Sequence, residues 1–164
     1  MSYQEQVERT RRFLDRVEAI SSHPGTPIQR HEHFDLEDMI YAFFQNCWHI
    51  KDWIRTDQSA PQSLKDAAKN PVSRSDALKL TQAIANGTKH LDPARKDRRF
   101  TTNVEIRLEF ADSFRHPDQQ TTVHTAYTYL VRDEGGEAHS ALDVAKQSLR
   151  DWEDLIASTA GPIP

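Results

Sequence analysis

Apolar residues recur at helical spacing between Tyr3 and about Ile20. Tyr3, Val7, Leu14 and Val17 form one stripe, with Phe13 and Ile20 beside it and Glu5, Glu8, Arg9, Arg12 and Arg16 elsewhere. This predicts an amphipathic helix, ended by Ser21-Ser22-His23-Pro24-Gly25-Thr26-Pro27, and then a loop to Phe34. A second helix is expected from Asp35 as N-cap to about Thr56, with Asp38 three residues on and Phe34 and Met39 spaced as a hydrophobic staple. Ile40, Phe43, Phe44, Cys47 and Ile54 make its core stripe, and Trp48 and Trp53 widen it. So broad an aromatic surface predicts several neighbours, and a homodimer that covers what one bundle leaves exposed.

Ser59-Ala60-Pro61 starts a short third helix, closed by Asn70-Pro71 because the residue before proline avoids helical geometry. Ser75-Asp76 caps a fourth helix carrying Ala77, Leu80 and Ile84, with its end expected around Asn86-Gly87. From about 100 to 132 the period changes to two. Val104, Ile106, Leu108 and Phe110 alternate with polar residues and, after Pro117-Asp118, so do Val123, Thr125, Tyr127, Tyr129 and Val131, which predicts an antiparallel hairpin. A last helix from about Ser140 carries Leu142, Ala145, Leu149, Trp152 and Ile156. The fold class is therefore mainly α: a bundle of four to five helices with a β-hairpin inserted before the last. One domain over residues 1–159 and a tail over 160–164 are expected.

Composition narrows the class. The 164 residues carry 21 basic and 25 acidic side chains for a net charge of -4, with only 5 glycines, so collagen-like and Gly-rich nucleotide-loop architectures are excluded. One cysteine makes no internal disulfide, and Met1-Ser2-Tyr3-Gln4-Glu5 lacks the basic and apolar regions of a signal peptide, which suggests a cytoplasmic address. No apolar run approaches the roughly 20 residues a membrane span needs.

Four constellations could carry chemistry. Cys47 lies on the apolar stripe, and His49 two residues on points to another helix face, so Cys47 reads as a buried small hydrophobe and not a nucleophile. His23, His31 and His33 with Glu32 and Asp35 lack ligand spacing on a helix and read as a solvated loop, so neither a metal site nor a cofactor is expected. His49 and Asp52, three apart, share a helix face with Lys51, Trp48 and Trp53 close by. They form either a half-buried polar network or a binding site.

The fourth constellation is Asn86-Gly87-Thr88-Lys89-His90-Leu91. Gly87 could be a helix C-cap, with Lys89 and His90 answering the negative end of the helix dipole. The segment runs on, however, into Arg95, Lys96, Arg98 and Arg99. From 89 to 99, five basic residues oppose two aspartates for a local charge of +3, a footprint for phosphate or nucleic acid.

A helical bundle with Asn86 and His90 near a helix end resembles the HEPN (higher eukaryotes and prokaryotes nucleotide-binding) superfamily. Its members often carry an arginine, frequently followed by asparagine, then a histidine four to six residues on. The chain is also similar to small uncharacterised bacterial proteins that pair a segment like Cys47 to Trp53 with one like Asn86 to Leu91. The superfamily resemblance implies a bacterial-type homodimer acting on RNA or a nucleotide without metal. It implies His90 as general acid/base or phosphate contact, Asn86 as orienting amide and Lys89 as charge stabiliser, with His49, Lys51, Asp52, Arg95, Arg98 and Arg99 as binding residues. Ala85 stands at the arginine position and can neither bind phosphate nor stabilise developing charge, which weighs against cleavage. The alternatives are a non-enzymatic interaction protein and a small-molecule-binding bundle with His49, Lys51 and Asp52 at a pocket between the second and fourth helices.

Overall fold

The computed structural model describes residues 2–21, 30–89, 102–110, 123–132 and 135–160. Helix α1 (Tyr3–Ser21) starts where Ser2 Oγ accepts the Glu5 N–H at 3.4 Å, and Asp57 Oδ2, just past the end of α2, accepts the Tyr3 N–H at 2.9 Å. Two of the donors left over at a helix start are thus satisfied, and α1 is tied to the end of α2.

Helix α2 spans Arg30–Thr56, so it begins five residues before the expected N-cap Asp35. Arg30 to Phe34 contains neither glycine nor proline. Once a helix is nucleated each further residue adds a hydrogen bond, and a side-chain cap worth about 1 kcal/mol does not stop it. Helix α3 (Gln62–Ala67) follows Pro61 and buries Leu64, and a 3-10 turn at Pro71–Ser73 leads into α4 (Asp76–Lys89). The predicted serine cap of α4 is present, and a second serine caps α5 at the position where the last helix was expected to begin. Ser75 Oγ accepts the Leu78 N–H at 3.0 Å, and Ser140 Oγ accepts the Asp143 N–H at 3.3 Å at the head of α5 (Ala141–Ala160).

Side-chain pairs fix the helix directions. Ser75 bonds Asp151 and Thr81 bonds Ser148, so α4 runs antiparallel to α5. Arg11 bonds Glu153 and Lys146 pairs with Glu18, so α1 is antiparallel to α5 as well. The aromatic stripe of α2 is spent inside this bundle. Phe43, Phe44, Cys47 and Ile54 are at most 1% exposed and Trp48 is buried, while the half-buried Trp53 lies under the Arg9 guanidinium, 5.6 Å from ring centre. The exposed aromatic patch expected to drive dimerisation is therefore not there, because α1, α4 and α5 all pack on α2.

The hairpin forms as expected from β1 (Thr102–Phe110) and β2 (Val123–Arg132), with Ile106 opposite Tyr127. A third strand, β3 (Ala138–Ser140), joins the far side of β2 to give the order β1-β2-β3. Three residues show no readable alternation, so this strand escapes a sequence reading. Gly136 at φ +85° supplies a left-handed conformation just before β3 that other residues adopt only with strain. In the register, Val104, Ile106, Leu108 and Phe110 share a face with Tyr129, Tyr127, Thr125 and Val123. At the root of the sheet, Tyr129 and Val131 on that face are buried in the bundle core, whereas Leu130 and Arg132 on the other face are half-buried. No helix among the described residues is long and apolar enough to cross a membrane.

Candidate functional site

Helix α4 carries the Asn86 segment on its last described turn. It continues through Gly87 to Lys89, and Gly87 does not take the left-handed conformation of a C-cap. The capping explanation for this glycine is thereby corrected: no turn begins at residue 87. Asn86 and Gly87 are both exposed, and a Cβ built on Gly87 meets nothing within 4 Å, so the backbone there faces open solvent. Ala85, one residue earlier and about 100° round the helix, is fully buried. The position that holds arginine in the HEPN pattern thus belongs to the core stripe with Leu78, Thr81 and Ile84. The side chain of Lys89, together with His90, Arg95, Arg98 and Arg99, lies outside the described residues, as do His23 and the side chains of His31, Glu32, His33 and Asp35. Among the described residues no group of three or more histidines, cysteines or carboxylates could hold a metal.

The second motif is knit into the packing of α2. Lys51 Nζ lies 2.7 Å from Asp52 Oδ1 and 5.0 Å from the centre of the Trp48 ring, so its charge is shared between a carboxylate and an aromatic face. His49 and Asp52 are half-buried. Around the same stretch, Gln6 Nε2 donates to Asn46 O at 2.9 Å and to Asn46 Oδ1 at 3.1 Å, and Asn46 Nδ2 donates to Ala42 O at 2.7 Å. Gln6 is 1% exposed, so the polar seam between α1 and α2 is internally satisfied.

The two motifs do not share a level of the bundle. Cys47 interacts with Trp152 and feels Asp151, the partner of Ser75, which places the Cys47–Trp53 stretch near the start of α4. Asn86 stands eleven residues past Ser75, about 16 Å along the helix at 1.5 Å per residue. It lies towards the head of α5, where the sheet joins.

Cys47 matches its expected role. It is fully buried, and burial above all, with the Asp151 charge adding to it, pushes its thiol far up from the ordinary range, so no thiolate forms near neutral pH. Among the described residues the Trp152 indole Nε1 beside it has no other hydrogen-bond partner, and the thiol sulfur is only a weak acceptor for it.

An open groove of about 310 Å³ lies between the start of α4 and the end of α5, floored by Pro71, Leu78 and Leu155 and edged by Arg74, Ser75 and Asp151. His49, Lys51 and Asp52 do not line it, so it is not the pocket expected between α2 and α4. No family model, no curated protein and no solved structure matches the chain.

Proposed function

We propose that the protein is a HEPN-like module that binds RNA or a nucleotide through phosphate contacts at the C-terminal end of α4, as a binding protein and not a nuclease. One observation supports the binding side: Asn86 and Gly87 remain in helix and exposed, with open space above the glycine, at the point where the net +3 segment from 89 to 99 begins. The burial of Ala85 supports the absence of cleavage, because the arginine position of the pattern faces the core.

The end of a helix carries the negative pole of its dipole, an unfavourable place for an anion. Affinity must therefore come from the cations Lys89, Arg95, Arg98 and Arg99 with His90, while the Asn86 amide orients the phosphate. Such binding weakens steeply with salt, since each contacted phosphate releases counterions.

The test is fluorescence anisotropy with a labelled single-stranded RNA and, in parallel, a labelled adenine nucleotide. Binding at low salt that falls with Lys89→Ala and with His90→Ala, while the melting temperature stays put, is the expected result. The same RNA incubated in EDTA should stay intact. A folded wild type without affinity for either probe at low salt would overturn the reading.

A further inference from the structure

Strand β1 is the free edge of the sheet. Among the described residues its only extensive contact is with β2, and no strand pairs with its outer side. Nine residues at about 3.3 Å each make an edge roughly 30 Å long. Natural proteins rarely leave so long an edge uncovered, because its unpaired N–H and C=O groups template pairing with another chain. The face shared by Val104, Ile106, Leu108 and Phe110 is also continuous with the buried Tyr129 at the root, yet among the described residues no helix packs extensively against β1.

We propose that the outer edge of β1 pairs antiparallel with β1 of a second copy of this chain, across a two-fold axis at Ile106, to form one continuous six-stranded sheet. The sequence of the edge selects that occupant and that register. With the axis at Ile106 the full nine residues overlap. Val104 stands opposite the second copy's Leu108 and Ile106 opposite its counterpart, and on the other face Glu105 stands opposite Arg107 at two symmetric positions. Moving the axis to Glu105 sets that glutamate against its own copy. Moving it to Arg107 sets arginine against arginine and Glu105 against Glu109. Axes between residues place apolar positions opposite charged ones on the same face, since a one-residue slip exchanges the faces of a strand. Directly opposed like charges destabilise a ladder and opposed unlike charges stabilise it. An axis at Leu108 also opposes Arg107 to Glu109, but it overlaps only residues 106–110 of the strand, so the Ile106 axis alone satisfies both faces over all nine residues. The contact is isologous and closes as a dimer without leading to a fibre. It owes nothing to the phosphate site and stands or falls independently of it.

The experiment is sedimentation velocity on the full chain over a concentration series, with far-ultraviolet circular dichroism to check folding. Wild type should sediment at twice 18.9 kDa. Arg107→Glu and Glu105→Arg, each turning two attractive pairs into repulsive ones, should each raise the dimer dissociation constant about tenfold or more. Mixing the Glu105→Arg chain with the Arg107→Glu chain opposes unlike charges at both positions again and should restore a dimer containing one of each; the double variant Glu105→Arg/Arg107→Glu should dimerise by itself. A variant that merely misfolds cannot be rescued by a second faulty chain. A monomeric wild type, an Arg107→Glu chain that dimerises like wild type, or a mixture that stays monomeric overturns the proposal.

Discussion

Thr81 Oγ1 lies 2.7 Å from Ser148 Oγ, and both residues are fully buried where α4 crosses α5. Ser148 donates its single hydroxyl proton to Val144 O at 2.7 Å, so Thr81 must be the donor between the two hydroxyls. Polarity thus runs one way, from Thr81 through Ser148 to the Val144 carbonyl. Ser148→Ala leaves the Thr81 donor orphaned in the core and should cost about 1–3 kcal/mol, while Thr81→Val removes the donor itself and should cost about 1 kcal/mol or less. Urea unfolding of the two variants checks the order, and equal losses would show that the hydroxyls do not form a directed chain.

Restoring arginine to the HEPN position is expected to break the fold before it can restore a site. Ala85 is fully buried, so Ala85→Arg drives a guanidinium into the core and should destabilise by about 3–5 kcal/mol. The variant should melt far below wild type and show no RNA cleavage in EDTA. A well-folded Ala85→Arg protein would mean that residue 85 reaches solvent.

Gly87 offers the opposite case. It sits inside α4 with exposed backbone and room for a methyl group, so Gly87→Ala should stabilise the protein by up to about 1 kcal/mol through a less flexible unfolded chain and better helix propensity. A raised melting temperature with weakened RNA affinity is expected if a phosphate approaches the backbone there. A lowered melting temperature would contradict the geometry.

Asp57 couples the start of α1 to acid. The Ser59 hydroxyl, then the backbone N–H groups of Tyr3 and Ser59, hold its carboxyl below the usual carboxylate range. A carboxylate whose folded pKa is depressed contributes stability that is fully present above its unfolded pKa, near 3.8, and is lost as pH falls through the lower folded value. Asp57→Asn should therefore melt lower than wild type at pH 7, and the difference should shrink as pH falls below 4. Thermal melts at pH 7, 4 and 2.5 measure it.

Cys47 should resist thiol reagents in the native state. Its sulfur is fully buried and its thiol is held protonated by that burial, so Ellman's reagent at pH 8 should label it only as fast as the bundle opens. Rapid labelling without denaturant would place α2 at the surface.

Local signals made most of the architecture readable. The stripe from Tyr3 to Val17, the Ser75 cap and the alternation from Val104 to Phe110 each specify an element by themselves, because helix and strand periods and N-cap chemistry act within a few residues. Element ends were less legible. Asp35 and Gly87 carry the right residue types for a cap and a stop, but α2 starts earlier and α4 runs on, since helix propagation outweighs a single weak boundary signal. The chemistry of the candidate site was readable only as residue types. Sequence alone shows Ala85 and Asn86 as neighbours; packing against the core decides that one is buried and the other exposed. Sequence likewise sets the Cys47–Trp53 and Asn86–Lys89 motifs side by side as a pair of polar departures, whereas the antiparallel run of α4 on α5 puts them about 16 Å apart along the bundle. The aromatic width of α2 was plain in the sequence, yet which surfaces it would meet was not. Burial is a property of neighbours far apart in the chain, and only the tertiary structure decided that α1, α4 and α5 cover those rings while β1, among the described residues, stands at the edge of the sheet.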